Sequence, residues 1–307
     1  GPVASRNSSL QIHTLDFSTF NKPGRYRIIL EDGDSSYPFT ISATPHHHAA
    51  VASLKGFYFQ RMSTTLSPVY AGKWARPFAH PDEHVLVHAS AATEKRPEGT
   101  VIASPGGWYD AGDYNKYLPT AATALWNLIT AYDLGSCTGP THRDDWGLPE
   151  SGNGVPDLLD EARWELEWLL RLQEADGGFA NKVTNLCWFS GMPETSTAPQ
   201  VITAKTTHDT ASAAAVLASA ARVFADWDPA FAASCLGAAR HAWDFLELHP
   251  GATPAAGFTN PSDICTGQYQ DPLGDDDERA WAAAELYRTT GEESFHDAFA
   301  TYWPIHS

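Results

Sequence analysis

The chain has 307 residues, and 37 acidic against 20 basic side chains give a net charge of −17. That balance argues against nucleic acid or an anionic membrane surface as main partner, because both demand a basic face. Hydrophobic residues make up 43% of the chain, enough to bury the core of one large domain or two medium ones, and no run approaches the roughly 18 apolar residues of a membrane span.

Residues 1–6 lack the apolar stretch of a signal peptide, which leaves the compartment open. Residues 9–43 read as short strands. Leu10–His13 alternates, Arg25–Leu30 alternates in part, and Tyr37–Ile41 closes the run. Pro23-Gly24 and Asp32-Gly33 punctuate it as turns, so one small sheet of three strands is expected. Pro45 to His48 reads as a linker, placed over 45–54. Its three adjacent histidines do not suggest a metal site, because neighbours on an extended chain point to opposite faces.

From Ala49 the pattern is helical. Helices are expected over 119–132, 156–175, 207–224, 229–248, 278–289 and 294–302. The segment from Pro156 carries the clearest signal. Proline stands in a first-turn position, Asp157, Asp160 and Glu161 favour the N-terminal end, and Leu158, Ala162, Leu166, Leu169 and Leu172 form a stripe. Val223-Phe224 followed by Phe231 resembles Leu286-Tyr287 followed by Phe295, at offsets of 63 and 64 residues. Such a repeat of helical pairs buries its stripes by stacking on copies of itself, as in solenoids and α-toroids. The four cysteines are widely spaced with no C-x-x-C pair, and they read as buried thiols.

Chemistry concentrates in the segment 104–117, just before the helix at Pro119. Asp110 and Asp113 stand three apart with Ala111-Gly112 between them, and Trp108, Tyr109, Tyr114 and Tyr117 surround them. Aromatic faces pack on the apolar faces of sugar rings and carboxylates accept from hydroxyls. One carboxylate can take a proton from water while its neighbour orients it. The same residues also fit a capping aspartate and a turn aspartate.

The run Pro105-Gly-Gly-Trp-Tyr-Asp-Ala-Gly-Asp-Tyr-Asn-Lys-Tyr117 resembles the signature of glycoside hydrolase family 9, the inverting cellulases and their relatives. Leu148–Ala162, Trp168–Gln173 and Asp277–Tyr287 agree with it, over about 55–303. The resemblance implies a mainly α fold: an (α/α)6 barrel, incomplete in this chain because residues 55–307 hold about four helical pairs of the six. Residues 1–44 resemble the latter part of an immunoglobulin-like β-sandwich that precedes many such domains. Asp113 matches the general base and Asp110 the aspartate that helps hold the water. The family's general acid is a glutamate near the C-terminal end of the domain. Its motif has no match here, so the acid is expected outside this chain, and the chain alone is expected to be inactive.

The implied reaction is inverting hydrolysis of β-1,4-glycosidic bonds in cellulose-type glucans or cello-oligosaccharides, by a secreted or periplasmic enzyme that requires no cofactor. Two alternatives stand beside it: an exo-β-glucosaminidase acting on chitosan oligosaccharides, which a −17 chain would attract, and a non-catalytic carbohydrate-binding remnant. Trp108, Tyr109, Tyr114, Trp188 and Tyr269 are candidate sugar platforms, each equally suited to the core. Cys137 and His142 lie near the zinc site of some relatives but supply two of the four ligands a structural site wants. Calcium is possible at Asp275–Glu278, where an aspartate at the position of Asp277 serves some relatives. The partner carboxylate expected near Ala211 is absent, and an acidic first helical turn explains the run equally.

Overall fold

The structure, a computed structural model, describes residues 2–4, 9, 11–135, 140–269 and 274–303. The chain divides into two compact units, 1–52 and 53–307. In the first, β1 (Pro2–Ala4) pairs antiparallel with β2 (Gln11–His13), and β3 (Gly24–Tyr26) with β4 (Phe39–Ile41). These are two separate two-stranded sheets rather than the single sheet expected. The strand expected over 25–30 stops at Tyr26, because residues 28–36 close on themselves. The Ile28 amide donates to Ser36 Oγ at 3.0 Å, and the Leu30 amide to the Asp34 carbonyl at 2.8 Å. Gly33, at φ +94°, turns the chain there.

Most of the expected linker is helical: α1 runs His47–Gln60. The run Ala49-Ala50-Val51-Ala52 extends the turn begun at His46, whose carbonyl accepts from the Ala50 amide at 2.9 Å. His47 and His48 thus lie on a helix, where neighbours diverge by about 100°.

The second unit surrounds α5 (Thr207–Phe224), in which every residue except His208 and Arg222 is buried. Its alanines let three helices pack closely against it: α3 (Leu118–Asp133), α6 (Pro229–Leu248) and α7 (Asp276–Thr290). The repeat is the pair α5–α6 followed by α7 and α8 (Glu293–Tyr302). Phe231 meets Phe224 edge-on at 5.0 Å within the first pair, whereas Phe295 of the second reaches back to Trp243 of α6 at 5.7 Å. The remaining helices are α2 (Pro68–Ala71) and α4 (Asp157–Arg171). α4 ends four residues early. The Glu174 amide donates to the Gly178 carbonyl and the Gly177 amide to the Glu174 carbonyl, a tight reversal that replaces the last expected turn.

Short strands complete the unit: β5 (Val85–Val87), β6 (Val101–Ile102), β7 (Lys116–Tyr117), β8 (Phe179–Ala180), β9 (Lys182–Asn185), β10 (Gln200–Ile202) and β11 (Lys205–Thr206). Five form a sheet of order β6-β5-β10-β9-β7, parallel between β5 and β10 and antiparallel elsewhere. None was expected after residue 49, since two to four residues carry no periodicity. β7 runs straight into α3, so the aspartate loop sits where the sheet's edge strand meets a helix N-terminus.

Cys187 and Cys265 form a disulfide, which corrects the reading of four free thiols; Cys235 is a free, buried thiol, and Cys137 lies outside the described residues. The backbone brings the disulfide partners together, as the Cys265 amide donates to the Leu186 carbonyl at 2.8 Å.

Candidate active site

Two glycines and one lysine shape the loop ahead of the aspartates. Gly106 and Gly107 adopt φ +83° and +81°, and a Cβ on Gly107 would stand 2.8 Å from Cγ of Trp168. Only glycine fits there. Lys116 is buried, and its ammonium donates to Asp82 Oδ2 (2.6 Å) and to the carbonyls of Ser104 (2.7 Å) and Gly106 (3.0 Å). Burial lowers its pKa, and the Asp82 charge opposes that shift. The Asp110 amide donates to the Asn115 carbonyl at 3.1 Å, closing the turn that carries both aspartates.

The two carboxylates meet different partners. Asp110 accepts on both oxygens, from the Thr120 hydroxyl at Oδ1 and from the Tyr269 hydroxyl at Oδ2 (2.6 Å). Asp113 accepts on Oδ2 alone, from Asn115 Nδ2 (2.5 Å) and the Tyr117 hydroxyl (3.1 Å). Among the described residues no hydrogen-bond donor meets its Oδ1. Asn115 is itself fixed, its Oδ1 accepting from Thr184 Oγ1 (2.9 Å) and the Asn185 amide (2.8 Å). Burial, reinforced by the neighbouring aspartate, raises the pKa of Tyr117 and Tyr269, so both phenols stay protonated as donors.

A cleft of about 590 Å³ opens beside this pair, walled by Trp108, Tyr109, Asp110, Tyr117, Glu165 and Tyr269 among others. Asp113 and Tyr114 are not part of its wall. Tyr117, which lines the cleft and bonds Asp113, connects that aspartate to it. Of the expected sugar platforms, Trp108 and Tyr109 are buried, at 6% and 4% exposure. Trp108 donates to Glu161 Oε1 at 2.8 Å, and Tyr109 packs edge-on against His80 at 5.4 Å. Tyr114 is half-buried and donates to the Gly191 carbonyl. Trp188 is exposed outside the cleft, and Tyr269, 37% exposed, is the platform candidate inside it.

Glu165 escaped the sequence reading. It is buried in α4, and burial pushes its carboxyl up to about 8 against the pull of Lys116. The signal was there: Glu161 and Glu165 stand four apart on the face of α4 that carries its apolar stripe. Glu161 is paired with the buried Arg61 at 3.0 Å, whereas Glu165 lines the cleft.

In the run 275–278, where calcium is one of two readings, two of the four carboxylates pair with cationic side chains. Asp275 pairs with Arg279 at 2.9 Å, and Glu278 with His208 at 3.3 Å. A different trio, Asp144, Asp157 and Asp160, brings carboxylate oxygens within 4.8 Å of one another. Their oxygens accept from the amides of Trp146, Gly152 and Gly154 and from the side chains of Ser151 and Asn153, which folds the loop 144–154 onto α4.

An aspartate pair with unequal partners, on a glycine-rich loop beside an aromatic cleft, suits water activation on a sugar. The sequence profile of glycosyl hydrolase family 9 matches residues 46–306. The chain belongs to this family. A xyloglucan-specific endo-beta-1,4-glucanase of Bacteroides ovatus is 39% identical to this family 9 chain over 293 residues, covering 92% of it and 49% of that protein. Endoglucanase D of Acetivibrio thermocellus is 31% identical over 290 residues, covering 92% and 44%. Among solved structures, a family 9 protein of Bacteroides ovatus aligns at TM-score 0.88 and 36% identity, over 99% of this chain and 56% of that one. The structure of AaCel9A in complex with cellobiose-like isofagomine aligns at TM-score 0.82 and 30% identity, over 95% and 52%. The family 9 chain spans about half the length of the curated relatives it matches.

Proposed function

We propose that this chain carries the water-activating machinery of an inverting β-1,4-glucanase. The observation that carries the proposal is the asymmetry of the aspartates. Asp110 has a donor on each oxygen and is suited to orienting water, whereas Asp113 keeps Oδ1 open to take a proton. In single displacement Asp113 deprotonates the water that attacks the anomeric carbon while an acid protonates the leaving oxygen on the other face. None of the residues described above is assigned as that acid.

A β-1,4-glucan backbone, xyloglucan included, is the substrate class that the names of the relatives favour over glucosamine. Residues 55–307 belong on this reading to an (α/α)6 barrel, and residues 1–44 to an immunoglobulin-like module. The Cys187–Cys265 disulfide supports a secreted or periplasmic location, where thiols oxidise. No helix among the described residues is long and apolar enough to cross a membrane. The reaction needs no redox or nucleotide cofactor, and a bound calcium ion would be structural.

The experiment is proton NMR of early hydrolysis of a β-1,4-glucan oligosaccharide. An α-anomer released first is the expected result. A β-anomer means a covalent intermediate and removes Asp113 from the role of base.

A further inference from the structure

Lys182 is wholly buried in β9, directly opposite Tyr117 in the β7–β9 register. Its ammonium donates to Asn260 Oδ1 and to the Gly267 carbonyl, both at 2.6 Å, and lies 5.3 Å from the ring of Tyr117 and 5.4 Å from that of Phe258. A lysine is almost never fully buried without a partner for its charge, and no step proposed above uses this one.

Its two acceptors bracket one segment. Asn260 Nδ2 donates to the Thr266 carbonyl at 2.8 Å, so Lys182 ties both ends of 260–267 together, and Cys265 fastens the same segment to Cys187. Gly267 also touches the site directly: a Cβ there would stand 2.7 Å from the Tyr117 hydroxyl oxygen. Two residues on, Tyr269 reaches Asp110. One ammonium therefore holds the backbone against the phenol that bonds Asp113, and that backbone leads two residues on to the phenol that bonds Asp110.

We propose that Lys182 is a positioning residue for the aspartate pair. Bonded to Asn260 and Gly267, it holds the backbone that abuts the Tyr117 hydroxyl and so seats that hydroxyl on Asp113. The inference rests on the reading of Asp113 as the base. Among the described residues, Asp113 is the charged group that acts on Lys182, and Tyr117 is the titratable neighbour packed against it. Burial lowers Lys182 to about 8, and Asp113 opposes that shift.

The test is carbon NMR of the chain labelled at lysine Cε, with Lys182 assigned through Lys182→Arg. The Lys182 Cε signal should titrate lower in Asp113→Asn than in the wild type, because the charge that opposes the effect of burial is gone; equal midpoints overturn the proposal. A merely structural lysine with no bearing on Asp113 would show equal midpoints. In hydrolysis assays of an enzyme that contains both this chain and its general acid, Lys182→Met should lower kcat with KM near the wild-type value and Lys182→Arg should restore kcat; wild-type kcat in Lys182→Met overturns the proposal. A wild-type enzyme of that kind that hydrolyses no β-glucan would count against the glucanase reading, and the titration result would still stand.

Discussion

At the scale of single residues, Asp110 and Asp113 show how partners divide the work of two identical side chains. Removing the Tyr269 hydroxyl should expose the difference. A hydrogen bond to a charged group contributes about 1.5–3 kcal/mol, so Tyr269→Phe should cost roughly 10–100-fold in kcat if Asp110 orients the water. The same bond contributes to the fold, so the melting temperature should fall as well, though modestly because the ring is 37% exposed. Steady-state kinetics and a melting curve on the same preparation check both.

Glu165 gives a pH prediction. Burial raises its folded pKa from 4.5 to about 8. Between those values the folded chain holds a proton that the unfolded chain has released, so stability falls as pH rises from about 4.5 to 8 and levels off above. Glu165→Gln, which mimics the neutral acid, should match the wild type near pH 4 and become progressively more stable than it towards pH 8. Urea unfolding at both pH values is the check; a constant difference contradicts the assignment. The aspartates were legible in the sequence because glycine, aromatic and carboxylate residues crowd one short loop. Glu165 was legible as a buried position, from its place on the apolar face of α4, but not as a cleft residue, because its neighbours in space come from a loop about fifty residues earlier.

At the scale of elements, α1 and α2 were not expected, whereas the helices expected from sequence were legible to within a few residues, except that α4 stops early. Their stripes repeat over four or more turns, and α5 and α6 have the bounds expected from sequence. The sheet was not legible, since its strands of two to four residues are set by pairing across the chain. The disulfide was equally hidden, with 78 residues between its cysteines. It closes a long loop, and such a bridge contributes about 2–4 kcal/mol. Cys187→Ser should lower the Tm measurably and loosen the segment that carries Tyr269. An unchanged Tm in oxidising buffer would mean that the bridge does not form. Gly107→Ala tests the loop itself: strain at φ +81° costs about 1–3 kcal/mol before the contact with Trp168 is counted. Its melting temperature should fall accordingly.

At the scale of the molecule, composition bounded the partners and the 63–64-residue repeat pointed to stacked helical pairs, as α5–α6 and α7–α8 now show. The small first unit was read less well, because its strands are short and much of its apolar side-chain surface is exposed, Ile29 and Tyr37 at 72% and 93%. The charge of −17 places no demand on the reaction but sets how the chain meets a substrate. A neutral glucan should bind with little dependence on salt, and a cationic chitosan oligomer should bind more weakly as salt rises. Binding isotherms at two ionic strengths separate the two.

The central claim is that Asp113 takes the proton from the attacking water. The most direct measurement is the turnover of Asp113→Asn on a β-1,4-glucan, in an enzyme that contains both this chain and its general acid, with oligosaccharide binding measured on the same sample. The account predicts binding near the wild-type value and a loss of about 10²–10⁴-fold in kcat. Turnover within a few-fold of the wild type, with binding intact, would contradict it.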